Sequence, residues 1–253
     1  MESAGSEKEV VEEIMTLPTF VAEETFRLHP GDTALLDRIC ESTLAVLDVK
    51  AGIIEEIILT CTDEMQASFF LSCTGYYRQS IGCLRSILEL VTIASRYYIL
   101  GDEVGFRKWQ DGIEDGMSFN VCCMDFLSNP RIREKEKALR EIAEVNLFEQ
   151  ANSGSNYPGG LARQLYKELS KYQHSSPGHT NGDLWQSNGP VFDEIAHYKS
   201  KRLFHETCAM TFLVAKIARP DLIIPEGVDF LFNGKFVELT PGLRRAYMVY
   251  LSP

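Results

Sequence analysis

Apolar positions recur every three or four residues along most of the chain, with polar positions filling the intervals. In "TALLDRICESTLAVLDVKAGIIEEIIL" (33–59), Leu35, Ile39, Leu44, Leu47 and Ile53 keep near-helical spacing, as one buried face of an α-helix requires. Asp32 precedes this run as a capping residue, and Thr62 or Asp63 is placed to start the next. "GYYRQSIGCLRSILELVTIASRYYIL" (75–100) is the most apolar helix, with Tyr77, Ile81, Leu84, Leu88 and Val91 on one stripe. The two runs predict a central antiparallel helical hairpin over 34–100.

Shorter helices are predicted at 106–112, closed by Gly112, and at 117–127, 133–147 and 160–173. A segment rich in Ser, Gly, Asn and Pro covers 175–190, and a long helix, 191–218, stops before Pro220. The tail changes character. "VDFLFNGKFVEL" (228–239) sets apolar flanks around Asn233-Gly234, the strongest short hairpin signal. The pattern therefore predicts an all-α, up-down helical bundle with a small C-terminal β-hairpin. It divides into an acidic leader (1–30, short helical or partly ordered), a bundle (31–218) and a hairpin tail (219–253). No internal repeat is visible.

Length and composition set limits. With 253 residues and 45% hydrophobic side chains the chain has ample material for a core. A net charge of −11 speaks against bulk electrostatic capture of nucleic acid. Of the local basic stretches, "RIREKEKALR" (131–140) interleaves Glu134 and Glu136 and reads as a solvated helix face. Seven cysteines without a C-x-x-C pair imply reduced, core-filling thiols and a cytoplasmic protein. The acidic N-terminus is no signal peptide, and no run approaches the roughly 18–20 uncharged apolar residues of a membrane span.

Candidate chemistry gathers in "LARQLYKELSKYQH" (161–174). Arg163, Lys167, Ser170 and His174 share one narrow polar stripe, while Leu161, Leu165, Leu169 and Tyr172 supply the core face. Cations beside a histidine keep it neutral near pH 7, as a general base needs. An ordinary solvated helix with His near its C-terminus has the same pattern. Arg85 and Glu89 form an i, i+4 pair inside the most apolar helix, which calls for a polar pocket or a facing polar stripe. His174 with His179, and His197 with His205, lack metal-ligand spacing, so neither a metal nor a cofactor is expected. Phosphate-cradling glycine loops and a G-x-S-x-G elbow are missing too.

"GYYRQSIGCLRSILEL", "FRKWQDG" and "LYKELSKYQH" together resemble bacterial HEPN-like (higher eukaryotes and prokaryotes nucleotide-binding) proteins over about residues 34–215. The resemblance implies an up-down helical bundle, a homodimer, and metal-independent endoribonuclease chemistry built on an R-x(4-6)-H motif. His174 matches the motif's histidine; position 167, where the arginine would fall, is Lys. The implied catalytic residues are His174 and Lys167. Ser170, Arg163, Arg85 and Glu89 bind an RNA or nucleotide, and an antitoxin or phage-defence protein is the implied partner. The alternative implied by the same family is a non-catalytic nucleotide- or protein-binding module. A second copy could pair through the aromatic-rich Tyr76, Tyr77, Tyr97 and Tyr98 of the central helix.

Overall fold

A computed structural model describes residues 3–46, 52–115, 117–152, 157–172, 190–224, 228, 231–232 and 239–251. Among these it holds ten helices and no strand. They are α1 (Ser3–Leu28), α2 (Asp32–Val46), α3 (Ile53–Cys73), α4 (Tyr77–Leu100), α5 (Glu103–Gln110), α6 (Phe119–Ser128), α7 (Pro130–Ala143), α8 (Leu161–Ser170), α9 (Glu194–Ala218) and α10 (Pro241–Leu251).

α4 is the hub. It packs along α3 and α9 and also touches α5, α6 and α8. Its stripe of Ile81, Leu84, Leu88 and Val91 is fully buried, against Ile54, Ile58, Cys61 and Met65 of α3 and Cys208 and Phe212 of α9 in the same core. Three serines meet where α3, α4 and α9 pack together. Ser80 Oγ lies 3.1 Å from Ser68 Oγ and 3.0 Å from Ser200 Oγ, so the three hydroxyls satisfy one another in the core. The α3–α4 turn needs Gly75. Its φ of 84° is left-handed, and a Cβ there would stand 2.5 Å from the Val191 carbonyl oxygen. α4 ends at Gly101 (φ 66°), after which the Asp102 carboxylate caps α5 by accepting from Gly105 N at 2.8 Å.

Several expectations are revised. The run at 33–59 is split between α2 and α3, and Thr62 lies inside α3, its hydroxyl donating back to Ile58 O at 2.9 Å. Asp32 opens α2, yet its carboxylate turns away to α9. The leader is a 26-residue helix whose Thr25 hydroxyl reaches Cys73 O at 3.1 Å. Glu136 is not on a solvated face: it is 2% exposed, because the loop after α7 folds back and gives it backbone N–H donors. The predicted C-terminal β-hairpin is corrected in its first arm, where Val228, Leu231 and Phe232 are helical. These apolar side chains are buried in the core, whereas an isolated two-stranded ribbon is at best marginally stable. The Asn233-Gly234 turn lies outside the described residues. Downstream, α10 packs on α7 and α9.

Candidate functional site

α8 is an amphipathic helix laid against α4. Leu165, Leu169 and Tyr172 enter the core, as their spacing predicts. The helix ends at Ser170, short of the expected 173, and His174 lies outside the described residues. The polar stripe does not converge as a unit. Arg163 turns to α6 and the α7–α8 connection, its Nε donating to Phe148 O at 2.6 Å and its Nη1 to Asn120 Oδ1 at 2.5 Å. Lys167 is exposed.

Ser170 does meet the charged pair of α4. Arg85 Nε donates to Ser170 Oγ at 3.2 Å, and the same hydroxyl donates to Tyr166 O at 2.7 Å. Arg85 Nη2 lies 2.9 Å from Glu89 Oε1 and 2.7 Å from Tyr166 Oη, which in turn donates to Glu89 at 2.6 Å. The guanidinium carbon also sits 5.0 Å from the Tyr166 ring centroid, and the other side of that ring stacks on Phe119 at 4.2 Å. Burial raises the Tyr166 phenol, so it remains protonated and can bridge the pair. The half-buried Arg85–Glu89 pair therefore has the facing polar stripe its sequence setting called for. Tyr166 was missed because a tyrosine beside Leu165 reads as core.

A second α4 arginine was also missed. Arg78 Nε donates to Tyr172 O at 2.8 Å, two residues before His174. Arg78 and Arg85 are seven residues apart, two helical turns, and so share one face of α4. That i, i+7 relation was available in the sequence. Around the same helix end, Lys199 Nζ lies 5.0 Å from the Tyr172 ring centroid and 3.6 Å from Glu168 Oε1, and Lys171 pairs with Glu168. Burial would raise the Glu168 carboxyl; the hydrogen bond from Lys171 and the charges of Lys171, Lys199 and Arg202 outweigh it and hold the group low. Arg78, Arg85, Lys167, Lys171 and Lys199 thus gather on and around the last turns of α8, in a chain of net charge −11.

A cleft of about 270 Å³ opens along another face of α8, toward α9 and α10, lined by Gln164, Glu168, Arg202, Glu206 and the apolar Leu161 and Leu243; neither Arg78 nor Arg85 lines it. That approaches the size of a small-molecule site, about 300 Å³. Burial raises Glu206, one of whose carboxylate oxygens has no hydrogen-bond partner. Far from α8 in sequence, His29, Asp32 and His197 form the one group among the described residues with metal-compatible spacing, their ligand atoms all within 4.8 Å of one another.

No family model, curated protein or solved structure matches this chain. No helix among the described residues is long and apolar enough to cross a membrane.

Proposed function

We propose that this chain is a HEPN-like protein that engages an RNA phosphate at the C-terminal end of α8 and cleaves beside it without a metal. The observation that carries the reading is the pair of α4 arginines bracketing that end, Arg78 at the Tyr172 carbonyl and Arg85 at the Ser170 hydroxyl. The family motif places arginine on the histidine's own helix; here two guanidiniums arrive from the neighbouring helix, Arg78 held by the Tyr172 carbonyl and Arg85 by Ser170, Glu89 and Tyr166, and bring positive charge to that helix end. His174 acts as general base on a ribose 2′-hydroxyl, and the oxygen attacks the adjacent phosphorus. The 5′-oxygen leaves with a proton, and the product carries a 2′,3′-cyclic phosphate. The cations of α4, α8 and α9 stabilise the charge on the phosphate.

The experiment incubates purified protein with mixed RNA in EDTA, beside His174→Ala and Arg85→Ala. Cyclic-phosphate products lost in His174→Ala, typically by 10²–10⁴-fold, support the reading. Equal cleavage by wild type and His174→Ala overturns it.

A second reading, a non-catalytic nucleotide- or protein-binding module, is favoured by the engagement of Arg85 with Glu89 and Tyr166, an arrangement suited to a fixed anion seat. No cleavage, together with nucleotide binding weakened in Arg85→Ala, selects it. Under either reading we place the protein in the reducing cytoplasm, consistent with its seven free cysteines, and with an antitoxin or defence protein as partner. Of the aromatics first considered for the proposed homodimer, Tyr77 and Tyr97 are buried by the chain's own helices, while Tyr98 is exposed and Tyr76 half-buried. The exposed Val10, Ile14 and Leu17 of α1 offer the apolar row instead. Light scattering at micromolar concentration that returns only the 28.6 kDa monomer rejects the dimer.

A further inference from the structure

The turn "HPGD" (29–32) between α1 and α2 meets the first turns of α9. His197, 2% exposed, places Nε2 3.1 Å from Asp32 Oδ2, and Lys201 Nζ donates to Asp32 Oδ1 at 2.7 Å. The His29 ring lies over that of His197, centroids 4.6 Å apart. His29 Nε2 is buried without a hydrogen-bond partner. Native structures rarely leave such an atom unsatisfied. A cavity of about 20 Å³ adjoins Asp32 and His197, lined further by Lys201 and His205 and by the apolar Leu35, Leu36, Phe69 and Phe204, and one water fits a space of that size.

We propose that His29, Asp32 and His197 form a structural binding site for a zinc-class divalent cation that clamps the α1–α2 turn to α9. The donor chemistry selects the metal: two imidazoles and one carboxylate suit zinc and its neighbours, whereas magnesium and calcium prefer all-oxygen shells. The separation fits as well. Two ligands about 2.0–2.1 Å from a tetrahedral ion stand roughly 3.3 Å apart, close to the 3.1 Å between His197 and Asp32. His29 closes the third corner with a modest shift of its turn, and a water in the adjoining cavity completes the fourth. Lys201 holds the outer carboxylate oxygen, the kind of partner that orients ligating carboxylates in metal sites. The two histidine pairs weighed in the sequence, His174 with His179 and His197 with His205, could not find this set, because its members come from a turn and a helix 165 residues further on.

The site is independent of the RNA reaction, and its test does not use activity. Chelator-treated full-length protein is titrated with zinc chloride alone by calorimetry, and with cobalt chloride alone in the visible spectrum. Expected are one ion per chain, tetrahedral cobalt bands, and a zinc-dependent rise in Tm. His29→Gln should fold with unchanged circular dichroism, weaken uptake by more than about tenfold and lose the Tm response. His197→Gln should do the same, and His179→Gln should bind as wild type. Should His197→Gln fail to fold, the half-buried His29 variant decides alone. No uptake by wild type, or uptake unchanged in His29→Gln, overturns the site and leaves an ion-free tether.

Discussion

The hydroxyl of Tyr166 donates to Glu89 Oε1 at 2.6 Å while accepting from Arg85 at 2.7 Å, so one phenol from α8 closes a charged pair on α4. Tyr166→Phe keeps the ring stacked on Phe119 and removes only this bridge. Stability should fall by about 1 kcal/mol, read from the urea midpoint at unchanged m-value. Tyr166→Ala, which also removes the ring, should cost about 3–5 kcal/mol. Equal losses for the two variants would show that the hydroxyl carries the whole effect.

Much of α8 could be read from its spacing, whereas the geometry around it could not. Leu165, Leu169 and Tyr172 repeat at helical intervals, and burial of that face follows. The period also finds α4, since its stripe is sampled by five well-spaced apolar residues. It does not mark the end of α2 at Val46 or the start of α3 at Ile53, because both helices put apolar residues into one core. The hairpin reading fails in its first arm, where Val228, Leu231 and Phe232 are helical and buried. Which polar side chains meet depends on helix crossings, so Arg163 of the stripe turns to α6, Ser170 meets α4 and Lys167 stays exposed.

Acid should destabilise the protein before its carboxylates titrate. Burial first, with the charge of Lys201 second, pushes the His205 imidazole down to about 4 from 6.5. The unfolded chain therefore takes a proton between pH 6.5 and 4 that the folded chain refuses, and stability drops as pH falls through that window. The full loss is on the order of 3 kcal/mol. His29 acts in the same direction, and Asp32, held low by His197 and Lys201 despite burial, adds a loss below its ordinary 3.8. Glu136 and Glu206 oppose this, because burial raises both; their effect is a loss of stability as pH rises above 4.5. Tm measured from pH 7 to 4.5 should fall less steeply in His205→Gln than in wild type. Parallel curves would contradict the assignment.

The Glu136 carboxylate accepts from Leu147 N at 2.9 Å, Phe148 N at 3.4 Å and Tyr250 Oη at 2.8 Å, tying α7, the following loop and α10 together. Glu136→Leu is close in size but orphans two backbone donors, and should cost about 2–5 kcal/mol in chemical denaturation. Glu136→Gln retains an acceptor and should cost less. If the leucine variant were the more stable of the two, the hydrogen bonds would be of little consequence.

Gly160 starts α8 at ordinary φ, yet a Cβ there would stand 2.2 Å from the Leu147 carbonyl oxygen. Gly160→Ala must displace α8 from that loop and should lower stability by more than about 2 kcal/mol. It should also weaken the Arg85–Ser170 contact, so RNA cleavage or binding should decline at temperatures where circular dichroism still reports a folded protein.

The seven thiols provide an internal timer. Cys61, Cys73, Cys122, Cys123 and Cys208 are buried, Cys40 and Cys83 half-buried, and burial raises every one, Cys73 and Cys123 to about 12. Only the thiolate alkylates, so the closed molecule is nearly inert to iodoacetamide at neutral pH. At the five buried positions labelling then proceeds through opening events, each cysteine reporting the helix that carries it: Cys61 and Cys73 for α3, Cys122 and Cys123 for α6, Cys208 for α9. The order in which these masses shift ranks the helices by the free energy of exposing them, without any engineered probe.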